Sequence, residues 1–208
     1  MALVDEFITR VDQALKTLTG KHTAIREYPA VAMADSILNE DEAQHAAGLM
    51  RVNHTGEICA QALYEGQVLT ARKTEIKKSL KQAADEESDH LAWCEQRLDE
   101  LGGRPSVLNP LFYAASYAMG AITGLLGDRV SLGFVEATED QVCRHLERHL
   151  ASLPEGDERS REIVRRMRED EARHGTDALR AGGKEFPEPV KRTMALISRV
   201  MTETTYRV

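Results

Sequence analysis

Apolar residues recur every three or four positions along most of this chain, and the recurrence is broken only at a few glycine and proline clusters. Phe7, Val11, Leu15 and Leu18 form one stripe, which predicts an amphipathic helix over residues 3–19 that Gly20 ends. The stretch through Pro29 reads as a linker. A long helix is predicted from about 40 to 70, with Asn39 placed to cap it, and Met50, His54, Glu57, Gln61 and Tyr64 follow one of its faces. Gly56, beside Glu57, would let another helix or a ligand approach the backbone closely. A second helix runs from about 74 to 101 and stops at Gly102-Gly103, its inward face carrying Ala83, Glu87, His90, Cys94 and Leu98. A third continues from Asp128 to about Leu150. Pro154 to Asp157 make a turn, and a fourth runs from about 157 to 181, stopped by Gly182-Gly183. Beyond Pro187 and Pro189 a last helix, about 190–203, presents Val190, Met194, Ile197 and Met201 on one side. No alternating β-branched run is bounded by turn signals, so no strand is predicted.

Residues 106–127 break the pattern, because they carry no formal charge at all. Twenty-two residues suffice by count to span a bilayer. Against spanning stand Asn109, Pro110 and three glycines, and a spanning helix would have to insert between the two halves of one bundle. Core burial is the plain alternative. The preferred reading is an apolar helix at the mouth of the bundle, lying in a membrane interface or meeting a lipid-soluble substrate. Tyr113 and Tyr117 would then sit at the boundary of apolar and wet surroundings.

Composition narrows the classes. A chain of 208 residues can bury a full core as one domain, and residues 1–39 read as a helix and linker attached to a bundle over 40–208. A net charge of −7 with no basic stripe argues against nucleic acid. Cys59, Cys94 and Cys143 are odd in number and lack Cys-x-x-Cys spacing, so they read as buried cytosolic thiols rather than a disulfide framework or zinc site. Asp5 and Glu6, with no apolar core of signal-peptide length, argue against export.

The chemistry lies in a duplication. Glu57 is followed 30 residues later by Glu87-Ser88-Asp89-His90, and Glu139 is followed 32 residues later by Glu171-Ala172-Arg173-His174. A Glu and a His three apart share one helix face. One Glu-x-x-His alone is most often a solvated surface. Two copies, each preceded by a Glu at nearly the same interval, supply four carboxylates and two imidazoles. That is the ligand set of a di-iron site inside a ferritin-like four-helix bundle. The expected fold is therefore all-α, ferritin-like, with an additional N-terminal helix and a C-terminal amphipathic helix. Glu136 is a rival to Glu139, at an interval of 35 from Glu171. Asp170 and Asp89 adjoin ligands and could orient an imidazole on a neighbouring helix; for Asp89 a solvated face is the simpler reading. His145, six residues from Glu139, would point away from the metals in a regular helix, and a π-bulge could turn it inward. The six residues alone leave open iron against manganese, and hydroxylation against peroxide reduction, radical generation or iron storage.

Arg51-Val52-Asn53-His54-Thr55-Gly56-Glu57, Gln61-Ala62-Leu63-Tyr64-Glu65-Gly66-Gln67, Asp85-Glu86-Glu87-Ser88-Asp89-His90-Leu91 and Asp170-Glu171-Ala172-Arg173-His174 resemble the demethoxyubiquinone hydroxylase family, in its bacterial branch. The resemblance covers about residue 40 to the C-terminus. It implies two iron ions per chain, held by Glu57, Glu87, His90, Glu139, Glu171 and His174, and so favours Glu139 over Glu136. It implies hydroxylation of a polyprenylated methoxy-methyl-benzoquinol with dioxygen, late in ubiquinone biosynthesis. It also implies peripheral attachment to the cytoplasmic side of the cell membrane and candidate membership of a biosynthetic complex. His145 matches a family histidine near the quinone, and Leu146 stands where many members carry Tyr; His54 and Asp170 are further candidates around metal or substrate. No Gly-x-Gly-x-x-Gly follows a strand, so an external reductase or the quinol itself must supply two electrons. Rubrerythrin-like peroxidase and ferritin-like iron handling are the competing activities, and a metal-free helical interaction protein is the remaining alternative.

Overall fold

The computed structural model describes residues 2–19, 22–34 and 37–208. Among these are seven helices and no strand: α1 (Ala2–Thr19), α2 (Glu40–Thr70), α3 (Thr74–Glu100), α4 (Asn109–Leu125), α5 (Asp128–Ser152), α6 (Glu158–Arg180) and α7 (Glu188–Thr205). Gly20 and the side chain of Phe7 lie outside the described residues. Asn39 caps α2 reciprocally: its side chain accepts from the Glu42 amide at 2.9 Å, and Glu42 accepts from the Asn39 amide at 2.9 Å. Asp157 caps α6 by accepting from the Ser160 amide at 3.0 Å. Gly102 (φ 67°) and Gly182 (φ 102°) follow α3 and α6 in the conformation that glycine adopts without penalty.

The bundle is α2, α3, α5 and α6, with α2 packed on α3 and α5 on α6. Because the helices are antiparallel, residues one or two turns to either side of the Glu-x-x-His level form two apolar plugs. At one end Met50, Trp93, Cys94, Leu146 and Met167 interdigitate, all between 0% and 2% exposed. At the other end Tyr64, Leu80, Leu132, Val135 and Ala178 do the same. The polar level between the plugs is thereby shut off from water along the bundle axis.

The uncharged segment is a helix of its own, separated from α5 by Gly127 at φ 112°. It lies along α2 because glycines meet backbone at the seam. A Cβ on Gly66 would overlap the Tyr117 carbonyl, and one on Gly120 would overlap the Leu63 carbonyl. The sequence had pointed to Gly56 for such an approach, but a Cβ there meets nothing within 4 Å. Gly120→Ala should therefore destabilise the protein by about 3 kcal/mol, the upper end for atoms forced into a packed seam. That is a fall in Tm of roughly 10 °C for this length. Gly56→Ala, adding a methyl in open space within a helix, should leave Tm unchanged or slightly raised. Equal melting of the two variants would mean that α4 is not seated on α2.

Only part of α4 is covered. Leu111 (64%), Ile122 (52%), Leu125 (66%) and Leu126 (67%) are exposed, so simple core burial does not describe the segment. Among the described residues no helix is long and apolar enough to cross a membrane. Tyr113 corrects another expectation: it is buried, and its hydroxyl donates to Glu65 rather than sitting at an apolar–wet boundary. On α1, Ala14 and Leu18 pack towards the bundle, while Val4, Ile8, Val11 and Leu15 face outward. On α7, Met194, Ser198 and Met201 are half-buried and Thr205 is buried, whereas Leu196, Ile197 and Val200 are exposed.

Candidate metal centre

Between the two plugs, ligand atoms of Glu57, Glu87, His90 and Glu171 lie within 4.8 Å of one another, and so do those of Glu87, Glu139, Glu171 and His174. Each quartet is buried and could hold a metal ion. Glu87 and Glu171 belong to both. The two Glu-x-x-His helices thus place one carboxylate each between the quartets, while Glu57 and Glu139, from α2 and α5, close the two ends. His90 Nδ1 lies 2.9 Å from Glu87 and 3.0 Å from Glu171; His174 Nδ1 lies 3.1 Å from Glu87 and 3.2 Å from Glu171.

Both imidazoles turn the same atom inward, and the outer atom explains why. His90 Nε2 is 3.0 Å from Asp170, and His174 Nε2 is 3.1 Å from Glu86. A carboxylate accepting at Nε2 fixes the Nε2–H tautomer and leaves the Nδ1 lone pair free for a metal. The arrangement is pseudo-symmetric: the residue before each shared glutamate orients the histidine of the opposite helix. Asp170 does what its position suggested. Glu86 was missed, although it precedes Glu87 as Asp170 precedes Glu171. Tyr64, two turns beyond Glu57, was also missed as a site residue; its hydroxyl donates to Glu139 at 2.8 Å. Asp89 is not on a solvated face. It is 4% exposed and accepts from Arg26 Nε at 2.6 Å.

The electrostatics fit a pair of divalent cations. Among the described residues, no lysine or arginine pairs with Glu57, Glu87, Glu139 or Glu171, and none of the four is more than 4% exposed. Burial, with the neighbouring charges of Glu171 and Glu87, pushes the Glu139 carboxyl well above its usual range. Burial also pushes up Glu57, against the hydrogen bond to His90. Burial alone would depress the His174 imidazole, yet the hydrogen bonds to Glu171 and Glu87 push it up to about 12. His90 is raised in the same way against its burial, by Asp170 and Glu171. With protons as the only positive charge, the cluster gathers them; two dications would neutralise four carboxylates and leave both imidazoles neutral. The donor set contains no thiolate and suits iron or manganese better than structural zinc.

The rival Glu136 is elsewhere: its carboxylate accepts from Lys191 on α7 at 3.0 Å. His54 sits at the α2–α4 seam, where Asn109 Nδ2 approaches its Nδ1 at 3.5 Å, and it belongs to neither quartet. Burial lowers its imidazole to about 3, so it is neutral there. His145 needs no π-bulge. On the regular α-helix α5 it lines a cavity of about 50 Å³ together with Glu57, Glu139, Glu171, Gly56, Val142, Leu146 and Met201. The cavity runs sideways from the cluster towards α7, which is why a residue off the inward face reaches it. Val52, Gln141, His145, Ser198 and Thr202 are shared with a groove of about 600 Å³ between α5 and α7, open to the surface. Gly56 faces open space on the wall of the cavity.

The family model described as "Ubiquinone biosynthesis protein COQ7" matches residues 44–205. The chain is 57% identical over 207 residues to the 3-demethoxyubiquinol 3-hydroxylase of Stutzerimonas stutzeri (strain A1501), covering 98% of this chain and 95% of that protein. It is 57% identical over 206 residues to that of Ectopseudomonas mendocina (strain ymp), covering 99% and 96%. To that of Pseudomonas putida (strain GB-1) it is 52% identical over 206 residues. The paired carboxylate–histidine quartets thus stand in a chain that belongs to the ubiquinone biosynthesis protein COQ7 family.

Proposed function

We propose that this chain is a 3-demethoxyubiquinol 3-hydroxylase that holds two iron ions, one with Glu57 and His90, the other with Glu139 and His174, both sharing Glu87 and Glu171. The observation that carries the reading is the pair of buried quartets with two carboxylates in common, set beside a cavity that leads to the surface. When bound, the iron pair supplies dioxygen activation, so that one oxygen atom goes to an aromatic ring carbon and the other leaves as water.

The chain's own residues position and exclude. The plugs around Trp93 and Tyr64 keep bulk water from the cluster. A cavity of about 50 Å³ has room for a molecule the size of dioxygen but not for a methoxyquinol ring. The groove of about 600 Å³ is of ordinary ligand size, so the ring enters between α5 and α7 and reaches the cluster where the two spaces join. His145 stands at that junction. Burial, reinforced by Arg148, lowers its imidazole to about 4, and its buried Nε2 has no protein partner. It is a neutral group available to a quinol hydroxyl, holding the ring in register. The exposed apolar faces of α4 and α7 meet the membrane interface from which a polyprenylated substrate is drawn. Electrons come from outside the chain, from a reductase or from the quinol.

The test is metal content followed by turnover. Protein loaded anaerobically with ferrous iron should bind two ions per chain and, with dioxygen, hydroxylate a prenylated 6-methoxy-3-methyl-benzoquinol. Two bound irons with peroxide consumption and an unchanged ring would move the chain to the peroxidase class.

A further inference from the structure

Arg26 lies before the bundle, outside the residues that the family model matches, yet its guanidinium spans the two helices that carry the shared glutamates. Its Nε donates to Asp89 at 2.6 Å, its Nη1 to Asp170 at 2.6 Å, and its Nη2 to the Glu86 carbonyl at 3.4 Å. The guanidinium carbon also sits 4.7 Å from the centre of the Trp93 ring, which in turn is 5.3 Å from the His90 ring. Asp89 precedes His90, and Asp170 precedes Glu171. The same oxygen of Asp170 accepts from Arg26 and from His90 Nε2.

We propose that Arg26 is a positioning residue for the metal centre: it clamps α3 to α6 from outside and fixes Asp170, and through it the His90 ring. This rests on the reading of His90 as a metal ligand. The planar fork is what the task requires. One guanidinium satisfies two carboxylates on different helices at once while its flat face rests on Trp93, whereas an ammonium offers a point charge without that geometry. Arg166 and Arg173 also approach Asp170, at 3.7 and 3.0 Å; Arg173 in addition reaches Glu86 on α3, on the His174 side, whereas Arg26 hydrogen-bonds to the Asp170 oxygen that also faces His90. The chain around Arg26 is held independently. The Ile25 amide donates to Asp89 at 2.6 Å, and the His22 amide to Glu95 at 3.1 Å. The segment expected to be a linker is thus a strap whose Arg26 guanidinium reaches the metal level.

The prediction is asymmetric. Arg26→Met should weaken the ion held by His90 by about 10–100-fold, the usual range for loss of a group that orients a ligating histidine, and leave the ion held by His174 unaffected. Mössbauer spectra of protein loaded with iron-57 should show one of two quadrupole doublets shifted, and Arg26→Lys should lie between wild type and Arg26→Met. Because Arg26→Met also strands the buried Asp89 carboxylate, Arg26→Met with Asp89→Asn serves as the second variant and should show the same selective weakening. Glu95→Gln loosens the strap at His22 without touching the guanidinium and should keep both ions and both doublets. Ferrous titrations of Arg26→Met that match wild type in both affinities, with unchanged doublets, overturn the proposal. So does a Glu95→Gln variant weakened as much as Arg26→Met, since attachment of the strap would then be all that matters. A wild-type chain that binds no iron instead overturns the metal reading on which the proposal rests.

Discussion

Glu171→Ala should lose both iron ions and fall to background activity while keeping its helices. Glu171 belongs to both quartets, so its removal takes one ligand from each ion, whereas Glu57→Ala and Glu139→Ala each strip only one. The fold should survive because Glu171 makes no apolar contact that either plug depends on, and alanine is the best helix former. Glu87→Ala should behave alike. The check is iron per chain by elemental analysis beside far-ultraviolet circular dichroism and turnover. A helical Glu171→Ala protein that retains two irons and activity would show that the shared position is misassigned. Intermediate iron content for Glu57→Ala, against near-zero for Glu171→Ala, is the specific signature of a shared carboxylate.

Replacing Leu111 and Leu125 together by Asp should move the protein from the membrane or detergent phase to the aqueous phase. Both side chains are about two-thirds exposed, at 64% and 66%, so neither substitution opens a core cavity. The same exposure makes them the points at which α4 would meet lipid. Burial of apolar area contributes on the order of 25 cal/mol per Å², and a stripe of several leucine-sized groups is enough for reversible surface binding. Two carboxylates on that stripe remove the apolar contact and add a desolvation penalty. Flotation with lipid vesicles measures the effect, and thermal melting confirms folding. Unchanged partitioning of the folded double variant would take α4 out of membrane contact and leave the outward faces of α1 and α7 to account for it.

The carboxylates and histidines that meet in the two quartets were legible because their geometry is local. An i, i+3 spacing fixes two side chains on one face whatever the helix packs against, and duplication at intervals of 30 and 32 is much harder to obtain by chance than one copy. The cap at Asn39 and the stops at Gly102 and Gly182 were legible for the same reason. Contacts between distant parts of the chain were not. Glu86 reaches His174 across 88 residues and Arg26 reaches Asp170 across 144, and nothing in local periodicity signals either. Amphipathicity also says that a helix has two faces without saying which is covered. Val11 and Leu15 on α1 proved to face outward, while Gly66 rather than Gly56 took the close helix approach. His145 lies in neither quartet, as its spacing from Glu139 implied, and it lines the cavity because that cavity runs sideways to α7.

The central claim, that this bundle transfers oxygen to a quinol ring, is tested most directly by one turnover with labelled dioxygen. Iron-loaded, reduced protein is mixed with oxygen-18 gas and a prenylated 6-methoxy-3-methyl-benzoquinol, and the quinone is analysed by mass spectrometry. The account predicts one labelled atom on the ring, with less efficient transfer for a short-tailed analogue because binding energy from the tail helps place the ring. Label found only in water, with an unmodified ring, would contradict it.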